Sequence, residues 1–301
     1  MKNKLSLTVT GALIFLLSAC GLAVVPGSGK IVDETRDVHG FNQIVFSAPG
    51  ELTIEQNGQE GLVIETDDNL LQYIKTRMQG DVLSIFVEPE VIQLYPTKPI
   101  RYTLNANTLS RVTLNGSGVI RSDELIASNL DFHLNGSGKI EIAAVKSQAS
   151  ALDLNGSGEY RFDSLIADQF TVSVDGSGDV AMGKVIARSA NLEIAGSGKL
   201  AMTDVLADTL NMNIDGSGDS ALKGEVNHQT ISIHGSGSYD AHGLQSQVTT
   251  VKVIGSGDST VWVTDELNVI ITGSGDIIYR GEPAIVQTVT GSGNITSVAK
   301  Q

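Results

Sequence analysis

Gly-Ser-Gly is the tripeptide in this chain with the most obvious chemical potential, because a glycine-rich loop can wrap its backbone N–H groups around a phosphate. That chemistry needs a single loop between a strand and a helix, usually with Lys-Ser or Lys-Thr behind it. Here the tripeptide occurs eleven times, and no copy is followed by Lys-Ser or Lys-Thr. Asp258 and Asp276 stand at equivalent places in neighbouring copies. Paired carboxylates suit a hard cation, but two make a poor site, so the pair is a candidate and no metal or cofactor is assigned. The histidines, His39, His133, His228, His234 and His242, lack metal-ligand spacing. No nucleophile elbow surrounds any serine. Trp262, Tyr239 and Tyr279 would stack on sugars only from a shared face, and their phases along the chain differ.

The spacing of the tripeptide explains it better than any ligand. Its first and third positions are Gly116 and Gly118, Gly136 and Gly138, Gly156 and Gly158, Gly176 and Gly178, Gly196 and Gly198, Gly216 and Gly218, Gly235 and Gly237, Gly255 and Gly257, Gly273 and Gly275, and Gly291 and Gly293. The steps are 20 residues, then 19, 20, 18 and 18. Two residues before each copy stands an aliphatic residue, from Leu114, Leu134 and Leu154 to Ile271 and Val289. Four before stands another apolar residue in every copy but the last, which has Gln287. The residues between are mostly polar, so each segment is a strand with one buried face. A second alternating piece follows the glycines, as in Lys139-Ile140-Glu141-Ile142, and a third apolar stretch falls near Leu165, Val185 and Val205.

A repeat of this length, with short strands and no helical period, predicts a right-handed parallel β-helix with one coil per repeat. Like positions in stacked coils lie ~4.8 Å apart, so ten coils span on the order of 48 Å. Leucine-rich repeats need a different Leu/Asn spacing and a propeller blade about twice the length. Gly-Ser-Gly is then a structural feature of each coil: either both glycines point inward where no Cβ fits, or the chain turns there and glycine supplies positive φ. Side-chain columns follow from stacking. Asn115, Asn135 and Asn155 form an amide ladder. Lys139 with Glu159, and Asp179 with Lys199 and Asp219, alternate in sign and relieve repulsion between coils.

The first residues read as a processing signal. Lys2 and Lys4 precede an apolar stretch over 5–17 that is too short for an ordinary membrane span. It ends in Leu17-Ser18-Ala19-Cys20, which looks like a bacterial lipobox, and Cys20 is the chain's one cysteine. Residues 1–19 are therefore expected to be a lipoprotein signal peptide, Cys20 the lipidated residue, and 20–36 a tether that includes Gly27-Ser28-Gly29 as linker. Such a protein is exported and held to the cell envelope by lipid; Gly21 after the cysteine favours the outer membrane in a Gram-negative cell. Residues 37–110 keep the alternation without the glycine beat and read as irregular coils or a cap, with 69–78 open to a short helix. Residues 111–301 are the regular array.

Three features resemble the head GIN domain family, labelled putative auto-transporter adhesin: Arg36-Asp37-Val38-His39-Gly40-Phe41, the pair Asp68-Asn69-Leu70-Leu71 and Gly80-Asp81-Val82-Leu83-Ser84-Ile85, and the Leu-then-Gly-Ser-Gly rungs. The resemblance runs from about residue 37 onward. It implies a β-helix on exported or lipid-anchored bacterial proteins and brings no catalytic motif.

The chain carries a net charge of −14 with no Lys/Arg cluster, so a nucleic-acid partner is not expected. A non-catalytic binding or adhesin-like module is the leading reading, with a cell-surface glycan or envelope protein as partner and the membrane reached through the Cys20 lipid. A structural or self-assembling envelope scaffold is the alternative. A polysaccharide-acting enzyme ranks last, because it needs an acidic calcium cluster beside a basic residue and Arg188 and Arg280 stand isolated.

Overall fold

The computed structural model of the protein describes residues 23–90 and 92–298. Cys20 and the signal expected over 1–19 lie outside the described residues. The alternation of the repeats becomes a stack of parallel coils, a β-solenoid in which each turn of chain has three sides. The longest side precedes the glycines, as in Asn129–Gly136 and Ala149–Gly156. The other two share one strand, as in Lys139–Lys146. They are divided by a bend at Asp123, Ala143, Asp163 and Gly183, which the strand pairing skips. From Glu159 onward the third corner is extended as well, and whole coils such as Glu159–Gly176 and Asp179–Gly196 are continuous strands.

Neighbouring coils pair in register along the whole array. Leu114, Leu134, Leu154, Val174, Ile194 and Ile214 sit directly over one another, followed by Ile233, Val253, Ile271 and Val289. This ladder fills the lumen and is buried throughout, down to Ile271. Leu165, Val185 and Val205 are buried on the third side. The repeats of 19 and 18 residues lose their missing residues at the bends, where the register shifts between Met202 and Val205 and between Ala241 and Gln245; the shift between Ala221 and Lys223 restores a residue as the repeat returns to 20. The long side keeps its alternation, because a slip of one residue there would turn its aliphatic face to water.

The irregular N-terminal part is continuous with the array. Gln43–Ser47 pairs in parallel with Arg111–Gly116, and Glu51–Glu55 with Val119–Ile126. The chain then leaves the stack and returns as an outer coil, in which Val82–Val87 covers Gln43–Ser47 and Arg101–Asn105 covers Glu51–Glu55. Antiparallel strands close this end: Gly61–Asp67 on Arg101–Asn105, Ile31–Arg36 on Gly61–Asp67, and Ile74–Gln79 on Val82–Val87.

One expectation needs correction. The described part of the 20–36 tether is folded: Ala23–Pro26 pairs with Ile92–Tyr95, and Ile31–Arg36 is one of the closing strands. Gly27-Ser28-Gly29 between them is a clasp. Ser28 N–H donates to Asn69 Oδ1 at 2.8 Å, Ser28 Oγ to Asp68 Oδ1 at 2.6 Å, and Gly29 N–H to Asp67 Oδ1 at 2.7 Å. A Cβ on Gly27 would lie 2.3 Å from Asp67 Oδ2, so a larger residue there would displace the carboxylate from the clasp. The stretch 69–78, left open to a short helix, forms a single 3-10 turn, Leu71–Tyr73, and then the strand Ile74–Gln79, which pairs antiparallel with Val82–Val87.

Candidate functional site

The glycine corners combine both alternatives left open by the sequence. The first glycine of each of the ten copies in the array has positive φ, from +95° at Gly116 to +135° at Gly273. From Gly136 onward, a Cβ at this position would lie 2.0–2.7 Å from the carbonyl oxygen of the glycine one coil earlier. That carbonyl accepts the next coil's serine N–H, as in Ser157 N–H to Gly136 O at 2.9 Å. The third glycine faces inward, against the aliphatic ladder: a Cβ on Gly158 would lie 2.6 Å from Leu134 Cδ2. The serine between them is exposed in every copy. The corners therefore hold coil to coil and leave no cradle for a phosphate.

Asp258 and Asp276 stack, but each carboxylate is already used by backbone. Asp258 Oδ1 accepts Asp276 N–H and Asp276 Oδ1 accepts Asn294 N–H, both at 2.8 Å. Among the described residues no three or more His, Cys, Asp or Glu side chains gather as metal ligands. Four histidines stand beside separate carboxylates: His39 on Asp37 and Glu60, His133 on Asp153, His234 on Asp215 and His242 on Asp240. The aromatic residues do not share a face, because Tyr239 is buried in the lumen while Trp262 lies outside under the Arg280 guanidinium, 4.0 Å from ring centroid to Cζ. The Arg188 guanidinium pairs with Asp168, at 3.4 Å.

The expected columns form in part. Asn155 donates to Asn135 at 3.2 Å and Asn135 to Asn115 at 3.0 Å. Lys139 reaches Glu159 at 3.3 Å and, closer, Glu141 at 2.7 Å. Asp179, Lys199 and Asp219 are in register and form no ion pair with one another.

The structure adds two surfaces that the sequence did not reveal. One is a cleft of about 590 Å3 at the bend of the first coils, lined by Gln56, Asn57, Arg121, Glu141, Arg161 and Asp163 among others. A chain of ion pairs runs beside it: Arg121 bridges Glu51 and Glu141, Lys139 bridges Glu141 and Glu159, and Arg161 meets Glu159. Hydrogen bonds donated to Glu51 and Glu141 push the Arg121 guanidinium further up, and one donated to Glu141 does the same to Lys139. The Lys139 ammonium in turn holds the Glu141 carboxyl below the usual carboxylate range. All three shifts fix charge and move these groups away from proton exchange near neutral pH.

The other surface is a shallow trough of about 360 Å3 on the long side, where Thr171, Asn191, Asn211 and Thr230 stack in one column and Glu193, Asn213 and Ser232 in the next. Asn211 donates to Asn191 at 2.9 Å, so the amides are oriented and their remaining donors and acceptors face out. Only the alternation placed these residues outward; that they would line a depression depended on side-chain sizes across four coils.

A family model described as putative auto-transporter adhesin, head GIN domain, matches residues 40–205 and again 187–283. The chain belongs to the head GIN family. The second match begins within the coils that end the first, as an array longer than one domain requires. The crystal structure of a putative adhesin from Parabacteroides distasonis ATCC 8503 is similar over 91% of this chain and 100% of its own, with a TM-score of 0.54 and 22% identity. One from Parabacteroides merdae ATCC 43184 is similar over 92% and 100%, with a TM-score of 0.52 and 22% identity. At this identity the likeness establishes the shared solenoid alone. No curated protein matches the chain. Membership of the head GIN family, whose description is that of a putative auto-transporter adhesin, supports an adhesin-like role.

Proposed function

We propose that this head GIN protein is an exported, lipid-anchored binding rod, held to the envelope through Cys20, that engages a cell-surface glycan on its long polar side. The carrying observation is the trough: stacked Asn, Thr and Ser side chains repeat at the coil spacing and offer neutral hydrogen-bonding groups to an extended polyhydroxylated chain. A glycan array probed with residues 21–301, with calcium and with a chelator, tests this. Selective binding to one glycan class, lost in Asn191→Arg and Asn211→Arg, supports the proposal; indifference to both variants removes the trough from it. Chelator-sensitive binding would restore a role to Asp258 and Asp276. For the anchor, Cys20→Ser should release the protein from the membrane fraction and abolish incorporation of labelled fatty acid; retention of both would refute lipidation at this residue.

A further inference from the structure

We propose that the C-terminal end of the solenoid is a docking surface for a second copy of this chain, joined tail to tail; the inference goes beyond the glycan reading and does not depend on it. The two ends of the stack differ. The N-terminal end is closed by antiparallel strands. At the other end, Ala284–Gly291 pairs only with Asp258–Gly273, and Ile295–Ser297 only with Ile277–Arg280, so among the described residues one edge of each strand is unpaired. Among the described residues nothing covers the lumen there. Ile285 and Val289 continue the ladder of Leu267 and Ile271, yet they are 38% and 41% exposed where the residues beneath them are fully buried. Exposed edges are normally protected by charge, proline or a bulge. This one has no such protection: residues 284–298 contain no Asp, Glu, Lys, Arg or Pro.

The occupant follows from charge and geometry. The chain is strongly acidic, so two copies repel wherever their surfaces are charged, and this coil is a neutral, apolar stretch at which they do not. A strand edge can pair antiparallel with its own copy across a two-fold axis, which also sets Ile285 and Val289 of one copy against those of the other. Head-to-tail stacking is closed off by the capped N-terminal end, so the assembly stops at two. The end of one coil is a small footprint by the standard of stable interfaces, and the dimer is therefore weak.

Sedimentation of residues 21–301, which hold every described strand, tests this. The expected result is a monomer–dimer equilibrium at concentrations up to about 100 µM. Thr288 stacks on Ile270, on the outward side of the edge strand, so a charge there leaves the lumen untouched. Thr288→Lys and Thr288→Glu should each weaken the dimer at least about tenfold, and an equimolar mixture of the two should restore it. Gln79→Lys, at the capped end, should change nothing. Circular dichroism of each variant confirms folding. A monomer at every concentration, a dimer indifferent to charge at Thr288, or growth beyond two copies would overturn the proposal.

Discussion

Alanine at three corner glycines separates the two physical demands made there. Gly176 has φ +127°, and its Cβ would lie 2.4 Å from Gly156 O. Gly178 carries no positive-φ demand, and its Cβ would lie 2.5 Å from Leu154 Cδ2. Gly116 has φ +95°, but a Cβ there meets nothing within 4 Å, because no glycine corner lies on its other side. Positive φ costs an alanine about 1–2 kcal/mol, and forcing a methyl into packed backbone costs about 1–3 kcal/mol. Gly116→Ala should therefore lose about 1–2 kcal/mol, Gly178→Ala about 1–3, and Gly176→Ala their sum, about 2–5. Alanine also restricts the unfolded chain by about 0.4–1 kcal/mol, equally in all three, so the differences between variants are cleaner than the absolute values. Urea unfolding followed by far-ultraviolet circular dichroism and by Trp262 fluorescence measures them, and coincidence of the two probes checks that the stack unfolds as one unit. If Gly116→Ala is as damaging as Gly176→Ala, close stacking is not what demands glycine, and the account of the corner is wrong.

Other expectations are as direct. Burial raises the Asp67 carboxyl, but Thr97 N–H, Thr97 Oγ and Gly29 N–H donate to it and hold it below the usual range. A depressed carboxylate stabilises above its unfolded pKa and loses that contribution as pH falls through the folded value, so the clasp should loosen below about pH 4. Asp67→Asn should loosen it at neutral pH and flatten this dependence, read by hydrogen exchange at residues 27–30. In the lumen, Tyr239 OH donates to Gln229 Oε1 at 2.8 Å, and Gln229 Nε2 donates to Ser246 and Thr249. Tyr239→Phe leaves a buried acceptor unpaired and should cost about 1–3 kcal/mol in urea unfolding; no loss would mean that the network is not closed. Arg121→Ala removes two ion pairs from a half-exposed side chain and should cost under about 1 kcal/mol, less at high salt; a larger loss, unchanged by salt, would contradict a surface role.

The solenoid was legible because its information is local and repeated. Leu114, Leu134 and Leu154 announce the inward face within five residues of each glycine pair, and the beat carries the stacking. What was not legible depends on distant partners. Gly27-Ser28-Gly29 looks like linker because it lies outside the beat, and the groups it clasps, Asp67, Asp68 and Asn69, are some forty residues away. Residues 74–79 could be read as helix or strand, because their alternation is short and mostly polar, and the hairpin partner Val82–Val87 decides it. Asp258 and Asp276 were placed correctly as neighbours, but their use as backbone acceptors follows from the local geometry of coils shortened to 18 residues. The trough and the cleft come from side chains on four coils, none of which is distinctive alone.

The interlocking of the corners limits how such a protein can change size. Over a corner glycine of the array only another glycine fits, and the lumen ladder tolerates no slip of register, so residues cannot be added singly along the long side; the differences in repeat length are absorbed at the bends. A viable insertion or deletion is a whole coil, worth ~4.8 Å of reach. Length in this family is thus a digital variable. Duplicating one 20-residue segment lengthens the rod by one step while every other contact survives, which makes reach adjustable independently of whatever the sides bind.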